Sequence, residues 1–85
     1  MAEIVIYTQD WCPYCMRAKA LFDKKGVAYQ EIEAPHGSAA RAESILRSGG
    51  VSSVPQIFID GDHIGGCDDL MALERAGGLD PLLAA

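Results

Sequence analysis

The chain has 85 residues, enough for one domain built on one small core and too few for a second. Hydrophobic residues make up 49% of it and charged residues 22%, and no apolar run approaches the ~18 residues a membrane span requires. Seven Lys and Arg stand against twelve Asp and Glu, and the net charge of −5 opposes binding to nucleic-acid backbones or anionic membranes.

Residues 3 to 8 read as a buried strand centred on Ile4-Val5-Ile6-Tyr7. Residues 13 to 25 follow as a helix with Ala18, Leu21 and Phe22 on one face and Gly26 as its stop. Arg17, Lys19, Lys24 and Lys25 put four of the seven basic residues on this helix, either as a solvated face or as a lure for an anionic substrate. Val27 to Ile32 alternates as a second strand. His36-Gly37-Ser38 is a turn with Ser38 as N-cap, and Ala39 to Arg47 forms a second helix ending at Gly49-Gly50. Ile57-Phe58-Ile59, the Asp60-Gly61-Asp62 turn and His63-Ile64 make a hairpin, and Asp68 to Ala76 is a third helix with Leu70 and Leu73 inward. The order β-α-β-α-β-β-α implies a parallel pair joined by a crossover helix, then antiparallel strands. The expectation is an α/β fold of thioredoxin type, residues 1–85, with a four-stranded mixed sheet and three helices on its two faces.

Chemistry concentrates at Cys12-Pro13-Tyr14-Cys15, where the first strand hands over to the first helix. A helix start leaves unpaired N–H groups and partial positive charge, which favour a thiolate, so Cys12 is expected to be the nucleophile. Three residues on, about 300° around the helix, Cys15 points to nearly the same side, within disulfide reach of Cys12. A zinc site would need four soft ligands, and the chain adds only Cys67, His36 and His63, none at paired ligand spacing, so no metal is expected. In a strand-to-helix setting the pair reads as a dithiol for exchange. No basic n-region and apolar h-region precede the first strand, so the expected location is the cytoplasm.

Three motifs in order, CPYC after a strand, Ser53-Val54-Pro55 before a strand, and Gly65-Gly66-Cys67-Asp68-Asp69 opening the last helix, resemble those of the glutaredoxins, and most closely the small bacterial dithiol class. Arg17-Ala18-Lys19-Ala20-Leu21, Pro55-Gln56-Ile57-Phe58-Ile59 and Gly77-Gly78-Leu79-Asp80-Pro81-Leu82-Leu83 carry the likeness nearly end to end. The resemblance implies a cis Pro55 that turns the Val54 backbone toward the cysteine of a bound glutathione; read alone, Pro55 could equally begin an edge strand. It implies that the backbone N–H groups of Cys67 and Asp68 receive the γ-glutamyl carboxylate while the Asp68 side chain faces the ammonium; read alone, the segment is a tight turn and N-cap. Tyr14 would flank glutathione, and Arg41 would reach its glycine carboxylate or else be an ordinary exposed helix arginine.

The chain also departs from that pattern. Gln9 stands where a lysine usually helps to bind the glutathione carboxylate, a change worth about 1 kcal/mol. Ser53 replaces a more usual threonine, Val51 lies where many relatives carry arginine, and Trp11 replaces the threonine common before CPYC. Some glutaredoxins with tryptophan there bridge a [2Fe-2S] cluster between two subunits, which is the alternative function; they generally have a smaller residue in place of Pro13, so Pro13 argues against it.

The resemblance therefore implies a monomeric, glutathione-dependent oxidoreductase with no tightly bound cofactor. It would reduce glutathionylated mixed disulfides and some protein disulfides, with glutathione as reductant and glutathione reductase as an indirect partner.

Overall fold

All five residues of Ile4–Thr8 (β1) are buried, and so are all four of Gln56–Ile59 (β3), because these strands occupy the middle of a sheet covered on both faces. The computed structural model describes residues 2–84. β1 pairs in parallel with Gln30–Glu33 (β2), with Ile6 opposite Glu31, and antiparallel with β3, with Ile6 opposite Ile57. Asp62–Gly65 (β4) closes the other edge antiparallel to β3, giving the order β2-β1-β3-β4. The two edge strands are largely exposed and polar, as strands with one free side should be.

Strand alternation sorts the apolar residues into two layers. Ile4, Ile6, Ile57 and Ile59 face Ala18 and Phe22 of Pro13–Lys25 (α1), Leu70 of Cys67–Arg75 (α3) and Leu79 of Leu79–Leu83 (α4). Val5, Tyr7 and Phe58 face the other way, against Ala34 and Ala40, the latter in Ala39–Arg47 (α2). The four-stranded mixed sheet of thioredoxin type is as expected, with one correction: there are four helices, not three. α4 is a single five-residue stretch, too short to show a helical period in sequence. It is held by Leu79, which is fully buried, and by Lys25 Nζ, 2.6 Å from Asp80 Oδ1, while Pro81 sits in the first turn, where no intrahelical N–H is lost.

The second strand also begins later than its alternation suggests, at Gln30 instead of Val27. The end of α1 explains the delay. Gly26 is left-handed (φ 71°) and its N–H bonds to Asp23 O at 3.0 Å, while the N–H of Val27 bonds to Phe22 O at 3.3 Å. This double capping uses the Val27 donor and keeps it out of the sheet. The expected Ser38 cap of α2 is present, its Oγ accepting the Arg41 N–H at 3.1 Å. In the β3–β4 hairpin, positive φ at both Asp60 and Gly61 makes the two-residue turn whose twist matches the strands.

The basic residues of α1 are largely occupied within the fold. Lys19 pairs with Glu31 at 2.9 Å, Lys25 with Glu74 at 2.9 Å as well as with Asp80, and the Arg17 guanidinium lies 5.5 Å from the centre of the Tyr14 ring. On the other face the buried Tyr7 hydroxyl donates to Glu43 and accepts from Arg47 Nη1 at 2.8 Å, and Arg47 stacks 4.3 Å over Phe58. Burial, followed by the hydrogen bond to Glu43, raises the pKa of this phenol.

Because α4 contributes a fully buried leucine to the main core, Leu79→Ala is expected to cost about 2–5 kcal/mol of unfolding free energy. A guanidinium titration measures it; an unchanged midpoint would mean that α4 is not part of the cooperative unit.

Candidate active site

The turn from β1 into α1 is set by two backbone features. Trp11 is left-handed (φ 60°) with its indole 97% exposed, and Pro13 is the first helical residue, where its missing N–H costs nothing. Between them Cys12 has the extended backbone of an N-cap, and its Sγ accepts the N–H of Cys15 at 3.1 Å. The two cysteines, with Cα atoms 5.2 Å apart, are joined as a disulfide. Cys15 is 1% exposed and Cys12 9%, so the sulfur nearer the surface is also the one at the helix start.

Cys12 Sγ lies 3.9 Å from the carbonyl oxygen of Val54, and Val54 is on the wall of a cleft of about 390 Å³. Such a volume lies within the range typical of small-ligand sites, roughly 300–1,000 Å³. Tyr14, half exposed, forms one side; Ser53, Val54 and Pro55 form another; Cys67 and Asp68 at the start of α3 form a third. The Val54–Pro55 peptide bond is cis, and Pro55 precedes β3, the inner strand, so it does not begin an edge strand. The structure thus brings together Tyr14, Ser53, Val54, Pro55, Cys67 and Asp68 around one opening beside Cys12.

At the start of α3, Asp69 Oδ2 accepts the Gly66 N–H at 3.0 Å, closing the turn. The Asp69 carboxylate occupies the space where a Cβ on Gly65 would stand, and Gly65 has φ 119°, so this position is closed to side chains on two counts.

Arg41 and Gln9 are placed elsewhere. Arg41 is 6% exposed, not an exposed helix arginine, and it is absent from the cleft wall. Its Nε and Nη2 donate to Ser52 O at 3.1 and 2.9 Å, and its Nη1 donates to Ala34 O at 2.8 Å and to Gln9 Oε1 at 2.7 Å. Gln9 lines a second, smaller depression of about 250 Å³ with Asp10, Glu33, Pro35 and His36. A lysine at position 9 could not accept this bond and would set a second cation beside the guanidinium.

Cys67 is buried and unpaired; desolvation raises its thiol pKa, Asp68 adds to the rise and Arg17 opposes it. Among the described residues no three His, Cys, Asp or Glu side chains gather as a metal site, and no helix is long and apolar enough to cross a membrane. The residues to which the sequence motifs assigned no individual role are Gln56, Asp69 and Ser52. Gln56 carried a signal, being a lone amide in the apolar run Pro55-Gln56-Ile57-Phe58-Ile59. Ser52 acts through its carbonyl, which no side-chain pattern can report.

Residues 4–64 match the glutaredoxin family model. The chain is 58% identical over 83 residues to glutaredoxin 3 of Escherichia coli, covering 98% of this chain and 99% of that protein. Among solved structures, the buckwheat glutaredoxin–glutathione complex superposes with a TM-score of 0.86 at 41% identity, covering 98% of this chain and 77% of that one. The solution structure of glutaredoxin from Brucella melitensis matches with a TM-score of 0.84 at 53% identity, covering 98% and 89%.

Two measurements probe this geometry. Arg41→Lys keeps the charge but not the planar fork, and should lower stability by about 2 kcal/mol in a urea titration; no change would mean that the four bonds contribute nothing. Cys67 in the native, oxidised protein should resist iodoacetamide at mildly alkaline pH and react once the chain is denatured. Rapid native labelling, followed by mass spectrometry, would contradict its burial and raised pKa.

Proposed function

The chain belongs to the glutaredoxin family and is a glutathione-dependent thiol–disulfide oxidoreductase, and on that basis we propose that Cys12 makes the attack in every cycle while Cys15 serves only the dithiol branch. The observation that carries this division is the position of Cys12 Sγ as the N-cap acceptor of α1, more exposed than Cys15 and next to the cleft. Backbone N–H groups and the helix dipole there stabilise a thiolate.

With a glutathionylated protein, the Cys12 thiolate attacks the glutathione sulfur, breaks the mixed disulfide and releases the protein thiolate. A second glutathione thiolate then attacks the glutathione sulfur of Cys12–S–SG, giving oxidised glutathione and restoring the Cys12 thiolate. With a protein disulfide, Cys12 forms a mixed disulfide with one of the protein's sulfurs. Cys15 then attacks the Cys12 sulfur, releases the reduced protein and leaves the Cys12–Cys15 disulfide for two glutathiones to reduce. Cys15 is suited to this internal step by burial, since it meets Cys12 without meeting the substrate.

In the cleft, the Val54 N–H and C=O would pair with the cysteine unit of glutathione, and Tyr14 and Pro55 would flank it. The γ-glutamyl carboxylate would lie on the N–H groups of Cys67 and Asp68, with the Asp68 carboxylate toward the ammonium. Ser53 would form the adjoining wall. Arg41 and Gln9 would act one step back, because the four side-chain hydrogen bonds of Arg41 go to Ser52, Ala34 and Gln9. The protein would work as a monomer in the cytoplasm, where glutathione reductase restores the reductant.

Cys12→Ser should abolish turnover in a glutathione-coupled assay, whereas Cys15→Ser should reduce a glutathionylated peptide at a rate near wild type and lose activity on an intramolecular protein disulfide. Residual turnover in Cys12→Ser would end the proposed mechanism.

A further inference from the structure

His63 has no part in the chemistry above; it is exposed on the edge strand β4 and touches Gln56, which lines the cleft. On β4 it pairs with Phe58 of β3, and the rings lie 5.1 Å apart with a tilt of 36°. The register then shifts: Gly65, not Ile64, stands opposite Ile57. Diagonally across the strands, His63 Nε2 is 2.6 Å from Gln56 Oε1. Gln56 is 1% exposed, lines the cleft, and donates through Nε2 to Ser53 O at 3.1 Å.

The direction of these bonds is determined. The Ser53 carbonyl can only accept, so the amide group facing it is the Gln56 NH2, and Oε1 must face His63. Oε1 can only accept as well, so His63 Nε2 carries a proton. The result is a polarised relay, His63 N–H to Gln56 C=O and Gln56 N–H to Ser53 C=O, ending on the segment just before Val54–Pro55. An amide held at both ends cannot rotate, and without His63 it has one anchor.

We propose that His63 is a positioning residue for the glutathione cleft, fixing the Ser53–Pro55 wall through the Gln56 amide. The proposal rests on the function stated above, and the test separates the two. Reduction of a glutathionylated peptide is measured for wild type, His63→Phe (ring kept, donor removed), His63→Gln (donor of similar reach), Gln56→Leu, and the His63→Phe/Gln56→Leu double variant. The loss of one neutral hydrogen bond predicts a KM for the glutathionylated peptide about three- to tenfold higher in His63→Phe, with kcat within about twofold. His63→Gln restores KM, and His63→Phe adds nothing in the Gln56→Leu background.

A second readout needs no turnover: the Val54 amide resonance shifts in His63→Phe and returns in His63→Gln. Should His63→Phe not fold, His63→Thr, which cannot reach Gln56, replaces it in both measurements. Unchanged KM, additive single effects, or a His63→Gln protein as impaired as His63→Phe would overturn the proposal. Wild type inactive on the peptide would instead overturn the proposed function, leaving the Val54 resonance to decide on the relay.

Discussion

A buried guanidinium without a salt-bridge partner among the described residues ties three loops together at one end of the sheet. Arg41 reaches the segment after β1 through Gln9, the segment after β2 through Ala34, and the segment before β3 through Ser52. Burying a charge is costly unless its donors are used, and here carbonyl and amide oxygens use them. The cost gives a strong preference for one arrangement of these loops. Both the strand-to-helix turn that carries Cys12 and the segment that carries Val54 are therefore referred to a common point in the interior.

The same segment is held again by the Gln56 amide, which donates to Ser53 O, and the start of α3 is closed by Asp69 on Gly66. Side-chain hydrogen bonds from Arg41, Gln56 and Asp69 thus brace the backbone of two of the cleft's walls. Such bracing suits the proposed peptide-like ligand: main-chain donors and acceptors would supply the pairing, and the braces would supply rigidity.

Much of this was readable from the sequence because the signals are local. Ile4-Val5-Ile6-Tyr7 and Ile57-Phe58-Ile59 announce inner strands, Ser38 announces a cap, and the cysteine spacing at a helix start announces exchange chemistry. Most of what escaped was decided between segments that are not neighbours in sequence. The fourth helix depends on Leu79 finding the core and on Lys25 meeting Asp80 across 55 residues. The late start of β2 depends on how Gly26 and Val27 close the preceding helix. Arg41 read either as a contact to the glycine carboxylate of glutathione or as an exposed helix arginine, and neither reading anticipates the convergence of three loops on a buried guanidinium. Gln56 and His63, seven residues apart, meet only because the hairpin folds back.

Cys12 Sγ is both the cap of α1 and the atom proposed to react. These two roles draw on a single free energy. A thiolate accepts the Cys15 N–H more strongly than a disulfide sulfur does, so the helix is better capped when the protein is reduced. By thermodynamic linkage, the amount by which that cap stabilises the reduced fold beyond the oxidised one raises the reduction potential of the cysteine pair by the same free energy. Folding stability and electron affinity in this chain are consequently not independent properties: a substitution that alters the cap of α1 more in the reduced than in the oxidised state moves both together.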